Sequence, residues 1–480
     1  MSRTKLFIQN FLVYGLGSII SKIVPLVMLT IITSIMVDST YYGINDMTNL
    51  VINFAAAIAM MGMYDAMFRM FFEKQDYEFK KSICSTALFF VIVSSLLLSA
   101  IMCIFKNQVL TLVAGNVEYS FLFFIIIFNT IFNGILNIVS APTRMENKKK
   151  IFLVTNTLTP ILSYAVSIPL LLKGQYLYAL PIAAVSSSVI MSIIFYSINR
   201  KWFSYKSISI KYLKELVKIG VPLMPTFLMY WMCSSFDRVM IKNMIGLDEL
   251  GIYSVASRIA QISQFIYTAF AMGWQYFAFS TMQDEDQKRL TANVGNYLLI
   301  ISVIATMGVT ALSKIIFSVL AKGTYVDGFI ILPFLFISPL LLMIFQILSN
   351  QFLVIKKTYP VPLILIGAVL INVVLNYTLI PIMGIEGASI ATMVGYIIAV
   401  LISYYVTLKL GLICKEKRIV MSILVFLLYL VIWRLYTFNT IWKSIGLTCA
   451  FWCLYGFMYK SEISLLLEKI KKLKNKNEVE

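Results

Sequence analysis

The sequence has 480 residues, 60% of them hydrophobic and only 13% charged, with a formal net charge of +18 and no histidine. Soluble domains carry about 25% charged residues, so this balance and a mean hydropathy of +0.86 exclude an ordinary soluble enzyme and point to an all-α integral membrane protein. In a soluble chain such a charge would suggest a nucleic-acid partner; here the basic residues fall in short loops between apolar runs, so they read as topology and no nucleic acid is expected.

A membrane-spanning helix needs about 20 mostly apolar residues. About fourteen such segments follow one another, near 9–36, 46–68, 82–105, 119–140, 151–172, 176–198, 217–240, 250–278, 290–320, 329–353, 359–380, 385–408, 418–436 and 440–459. The basic start, Arg3 and Lys5, resembles a signal peptide in charge but lacks a short apolar core with a small-residue cleavage site, so it reads as a retained first span. Lys and Arg accumulate in cytoplasmic loops, and an inside N-terminus puts about 30 of the 40 basic residues on the inner side. Arg238 is counted with the outer loops, and both termini are expected inside, in a bacterial plasma membrane.

The longest inner loop, from Asn199 to Lys218, carries six basic residues and reads as an amphipathic linker on the inner surface. It separates six spans from eight. The division predicted is 1–198 as a six-helix lobe, 199–216 as linker, 217–410 as a second six-helix lobe, 411–460 as two additional helices and 461–480 as a basic tail. A faint repeat fits it: Gly43-Ile44 and Gly251-Ile252 lie about 208 residues apart, as do Lys149-Lys150 and Lys356-Lys357 to within one residue, in the manner of parallel transporter repeats.

Two basic residues lie within spans. A lysine at mid-bilayer costs about 2.5–3.5 kcal/mol on insertion scales, so Lys22 is expected to face a wet cavity or a partner, sharing a helix face with Ser18 and Pro25. Arg258 lies in the eighth span near Gln261 and Gln264, with Asp237 or Glu386 as structural partners in the alternative. Asn49 and Asn53 form an i, i+4 polar pair that either bonds a neighbouring helix or lines a cavity. Asp65 and Arg69 have the spacing of a local ion pair. Pro222 and Pro225 break the start of the seventh span, a feature tolerated beside a cavity or a moving joint. Cys449 and Cys453, a helical turn apart, read as small packing residues, and no metal site is expected. No Walker motif is present, and no carboxylate is read at mid-membrane.

The stretch Gly220-VPLMPTFLMYWMCSSFDRVMIKNMIGLDELGIYSVASRIAQI and the stretch Ile371-NVVLNYTLIPIMGIEGASIAT-Met393 resemble bacterial polysaccharide repeat-unit flippases. These are the Wzx-type members of the multidrug/oligosaccharidyl-lipid/polysaccharide (MOP) exporter superfamily, whose fold is MATE-like. The resemblance implies two six-helix lobes around a central cavity with alternating access, and transport of an oligosaccharide on undecaprenyl pyrophosphate to the outer leaflet. It implies that Lys22 and Arg258 hold the pyrophosphate, with Asn49, Asn53, Gln261 and Gln264 toward the sugar. Membrane lipids, a polysaccharide polymerase and glycosyltransferases are the partners implied; no cofactor is expected, with Na+ or H+ as a coupling ion at no assigned site. A peptidoglycan-precursor flippase, a drug or metabolite exporter of the efflux branch and, more remotely, a multispan glycosyltransferase or polymerase remain as alternatives.

Overall fold

A computed structural model describes residues 24–267, 286–355, 359–415 and 417–460. Every regular element among them is helical. In chain order these are α1 (Val24–Ile35), α2 (Ser39–Met60), α3 (Met63–Phe71), α4 (Tyr77–Ile104), α5 (Lys106–Ala114), α6 (Ser120–Met145), α7 (Lys149–Leu172) and α8 (Tyr176–Asn199). They continue as α9 (Ile210–Gly220), α10 (Met224–Met244), α11 (Leu247–Ala260), α12 (Gln287–Leu320), α13 (Leu332–Val354), α14 (Pro360–Met383), α15 (Ile385–Lys409), α16 (Lys417–Ile432) and α17 (Ile441–Met458).

Ten of these helices are long and apolar enough to cross a membrane, and α2 with α3 forms an eleventh, bent by 47°. They fall where eleven of the fourteen expected spans lie. The expected first and eighth spans run partly outside the described residues. The seventh corresponds to α10, which carries Asp237, Arg238 and Lys242. Side chains such as Leu97, Ile104 and Phe121 are exposed, as a lipid-facing surface requires.

Capping fixes the helix starts. Asp38 caps α2 by accepting from the Thr40 amide, and Asp76 caps α4 by accepting from the Phe79 amide. The bend between α2 and α3 is built by Met61 and Gly62, both left-handed at φ 42° and 71°. A Cβ on Gly62 would also meet the Gly220 carbonyl, so backbone conformation and close approach both select glycine there. The two prolines mark a real break: α9 ends at Gly220, a 3-10 turn spans Val221–Leu223 around Pro222, and α10 starts with Pro225 in its first turn.

The chain divides into two compact units. One comprises the described residues of 1–259, 318–328 and 369–392. Its core gathers Met67, Phe71, Ile83, Val91, Ile138, Met191, Trp202 and Leu216 from α3, α4, α6, α8, the linker and α9. The linker is stitched to α4: Ser82 donates to the Ser207 carbonyl at 2.7 Å, and Ser85 accepts from the Ser204 amide at 2.9 Å. α9 is amphipathic, burying Leu216 while Lys211, Lys214 and Lys218 stay exposed. Glu146, in the α6–α7 turn, binds Lys148 at 2.7 Å and Lys201 at 2.5 Å.

The second unit comprises 260–317, 329–368 and the described residues of 393–480. Within it the last two helices are bonded onto α12. The Tyr429 hydroxyl donates to the Met307 carbonyl at 3.2 Å, and the Trp452 indole donates to the Ile304 carbonyl at 3.3 Å. Cys449 and Cys453 are exposed on α17, which corrects their reading as packing residues: the buried face of α17 is built from Ser444, Thr448, Phe451 and Tyr455 instead.

Candidate functional site

One face of α2 organises the polar interior of the first unit. Tyr42, Asp46, Asn49 and Asn53 recur at intervals of four, three and four residues, so they stack on one side of the helix. At 1.5 Å per residue this stripe runs about 16 Å along the axis. It carries an aromatic hydroxyl and a carboxylate at one end and two amides at the other.

The first end is a buried charge cluster. The Asp46 carboxylate lies 3.5 Å from the Arg238 guanidinium of α10, and both side chains are largely shielded. The neighbouring Asp237 accepts a short hydrogen bond from the Tyr253 hydroxyl of α11. Tyr253 is also bonded to Thr392. Thr392 accepts from the Asn372 amide at 3.2 Å, and the Asn372 carbonyl accepts from Asn376 at 3.0 Å. A polar relay thus ties α10 and α11 to α14 and α15 within this unit. Arg238 is therefore an interior residue rather than an outer-loop cation, and Asp46 is a carboxylate inside α2.

Arg258 sits on α11 with its guanidinium 5.2 Å above the Tyr42 ring. Tyr42 is fully buried, and among the described residues its hydroxyl has no hydrogen-bond partner. Tyr164 of α7, Asp46 and Arg238 are also within electrostatic reach of Arg258. Among the described residues no carboxylate lies within ion-pair distance of Arg258; Asp237 is engaged with Tyr253 instead. The cation rests on the Tyr42 face, with no carboxylate paired to it among the described residues.

The helices that bear these groups touch through glycine. A Cβ on Gly43 would collide with the Leu247 carbonyl, and one on Gly251 would collide with the Ser39 carbonyl. Each glycine thus meets the carbonyl four residues before the other. The two glycines that the repeat register pairs are the ones that let α2 and α11 approach backbone to backbone.

The second end of the stripe opens on a pocket of about 290 Å³ between α2, α6, α7 and α8. Each helix supplies side chains one turn apart: Asn49 and Asn53 from α2, Asn129 and Asn133 from α6, Thr159 and Ser163 from α7, Ala184 and Ser188 from α8. Ser187 and Tyr164 complete the polar wall, and no charged residue lines it among the described residues. Asn129 is held by Ser188 at 3.4 Å, and the Asn133 carbonyl accepts from Asn137 at 2.9 Å. Tyr164 joins the two ends, since it both lines the pocket and lies near Arg258.

The structure thus brings together Asn49, Asn53 and, through Tyr42 and Tyr164, Arg258. Gln261 and Gln264 are assigned to the second unit and do not line the pocket. Lys22 lies outside the described residues. Asp65 and Arg69 are exposed at opposite ends of α3 and form no ion pair; the expected local pair is corrected, because exposure leaves little to gain from holding two long side chains together. Sequence reading missed Tyr42, Asp46, Arg238, Asn129 and Asn133. The signal for the first two was the α2 stripe, concealed by starting the second span at residue 46 rather than at the Asp38 cap.

A family model described as "Polysaccharide biosynthesis protein" matches residues 36–322. No curated protein matches the sequence significantly. Among solved structures, the fold is similar to that of the lipid II flippase MurJ in an inward closed conformation, with a TM-score of 0.68 and 17% identity over 95% of this chain and 100% of that one. An inward-facing multidrug resistance MATE family transporter of the MOP superfamily gives a TM-score of 0.63 and 15% identity, covering 84% of this chain and 95% of its own. A MOP superfamily transporter from Pyrococcus furiosus Vc1 gives 0.59 and 14% identity, covering 84% and 96%. At these identities the likeness is one of fold: an integral membrane, MATE-like helical architecture.

Proposed function

The chain belongs to the polysaccharide biosynthesis protein family, and from that premise we propose that it is a transporter rather than an enzyme, flipping a lipid-linked oligosaccharide repeat unit across a bacterial plasma membrane. The carrier we assign is undecaprenyl pyrophosphate, moved from the cytoplasmic to the outer leaflet by alternating access. The observation that carries this reading is Arg258, a cation among membrane helices that rests on Tyr42 and, among the described residues, has no carboxylate partner. Cations inside a membrane protein are costly and mark substrate pathways. A pyrophosphate would supply acceptor oxygens of the kind that no carboxylate gives this guanidinium among the described residues.

In this mechanism Arg258 and Lys22 replace the counterions of the pyrophosphate, and the lipid tail stays in hydrocarbon. Asn49 and Asn53 face the sugar. Outward movement of negative charge runs down an inside-negative potential, worth about 2.3 kcal/mol per charge per 100 mV. Coupling to Na+ or H+ would add to that drive. A polymerase and glycosyltransferases would act on the same carrier on either side of the step.

A drug exporter selecting cations is disfavoured by the same geometry: the carboxylates Asp46 and Asp237 are committed to Arg238 and Tyr253. The test is complementation by Lys22→Ala and Arg258→Ala in a strain lacking its own copy. Restoration of surface polysaccharide to normal levels by both variants, at normal expression, sinks the assignment.

A further inference from the structure

We propose that the amide-lined pocket of the first unit is a subsite for one uncharged sugar residue next to the pyrophosphate; this deepens the reading above and rests on it. The pocket's chemistry narrows the ligand. Asparagine offers both donors and an acceptor, and serine adds hydroxyls that do either. These suit sugar hydroxyl and acetamido groups, which also donate and accept. An anion placed there would lose hydration, and no cation lines the pocket among the described residues to replace it.

Several observations show a wall arranged toward a ligand. Four helices each present side chains one turn apart to the same space. Asn129 and Asn133 are steadied by Ser188 and Asn137. The volume of about 290 Å³ sits at the lower bound of small-ligand pockets, about 300–1,000 Å³. That volume is enough for a single sugar with some water.

Position supplies the order of binding groups. Along α2, Tyr42 beneath Arg258 comes first, then Asp46 facing Arg238, then Asn49 and Asn53. Tyr164 lines the pocket and is within electrostatic reach of Arg258. A carrier whose pyrophosphate meets Arg258 therefore directs its first sugar to the amides. That sugar is the one whose identity this subsite reads.

The test uses the full chain in nanodiscs with three probes: bare undecaprenyl pyrophosphate, the same lipid carrying N-acetylglucosamine, and the same lipid carrying glucuronic acid. The neutral glycolipid is expected to bind about tenfold tighter than the bare carrier, the factor for one or two net hydrogen bonds. The glucuronic acid lipid gains no such advantage. Asn53→Leu with Asn133→Leu should bring the neutral-to-bare ratio to about one, and the milder Asn53→Ser, which keeps a polar group at an exposed position, should lower it partway. Asn53→Lys should favour the glucuronic acid probe. Arg258→Ala should weaken all three probes alike, leaving the ratio intact. Equal binding of the three probes, or a ratio untouched by the asparagine variants, overturns the subsite while leaving the transporter reading standing. Failure of every probe to bind the wild-type chain removes the transporter reading and the subsite with it.

Discussion

Removing one partner of the Asp46–Arg238 pair should destabilise the protein far more than removing both. The charges face each other at 3.5 Å with side-chain exposures of 9% and 23%. At an effective dielectric of about 20, Coulomb's law gives about 5 kcal/mol for unit charges at that separation. Desolvation offsets much of this attraction while the pair is intact. Once a partner is gone the remaining charge stays shielded and poorly compensated, which costs up to about 3–5 kcal/mol, and Asp237 beside Arg238 tempers the loss. Partial exposure of Arg238 sets the expectation for Asp46→Ala at about 3 kcal/mol, the lower end of that range. The double variant Asp46→Leu with Arg238→Met removes both charges of the pair, leaving Asp237 bonded to Tyr253, and should recover part of the loss. Thermal unfolding of purified protein in one detergent, run as a double-mutant cycle, reads the coupling. Additive single effects, or a double variant less stable than either single one, would refute the buried-pair argument.

Arg258→Ala should behave differently. No carboxylate pairs with Arg258 among the described residues, so the stability cost should be that of a desolvated cation–π contact with buried Tyr42, about 2 kcal/mol in the same melting assay, while transport is lost. Gly251→Ala should cost about 1–3 kcal/mol, because its Cβ meets the Ser39 carbonyl and backbone cannot turn aside; an unchanged melting temperature would contradict the tight crossing of α2 and α11. Burial acts to raise the Glu146 pKa, but the hydrogen bonds from Lys148 and Lys201 outweigh it and hold the carboxyl below the usual range. The stabilisation is therefore present above the unfolded-state pKa and lost as pH falls through the lower folded-state value. Melting temperature should drop over that acid window, and Glu146→Gln should reduce the drop by the share of an accessible pair, about 0.2–1 kcal/mol.

Much of the architecture was legible because apolar length and loop charge are coarse signals that tertiary packing does not override. The eleven expected spans that coincide with membrane-length apolar helices show it. The break at Pro222 and Pro225 was legible for the same reason, since a missing amide acts locally. The charge cluster was not. Arg238 is close in sequence to Lys242, and hydropathy alone cannot separate a loop cation from one buried against a carboxylate almost 200 residues away. Asp46 was masked because the span was started about two turns late, at residue 46 instead of Ser39. Asn129 and Asn133 look like ordinary tolerated amides until α6 is packed beside α2. Arg258 and the Asn49–Asn53 pair stood out earlier because each breaks the apolar pattern of its own helix.

The most direct test is leaflet exchange itself. Proteoliposomes containing the full chain and an undecaprenyl pyrophosphate-linked neutral sugar would be probed with an impermeant enzyme that cleaves or labels only outward-facing glycan. The account predicts protein-dependent exposure of the inner-leaflet glycolipid that falls to the protein-free level with Arg258→Ala, in protein that melting shows to be folded. Exposure at the wild-type rate with Arg258→Ala, or none with the wild-type chain, would contradict it.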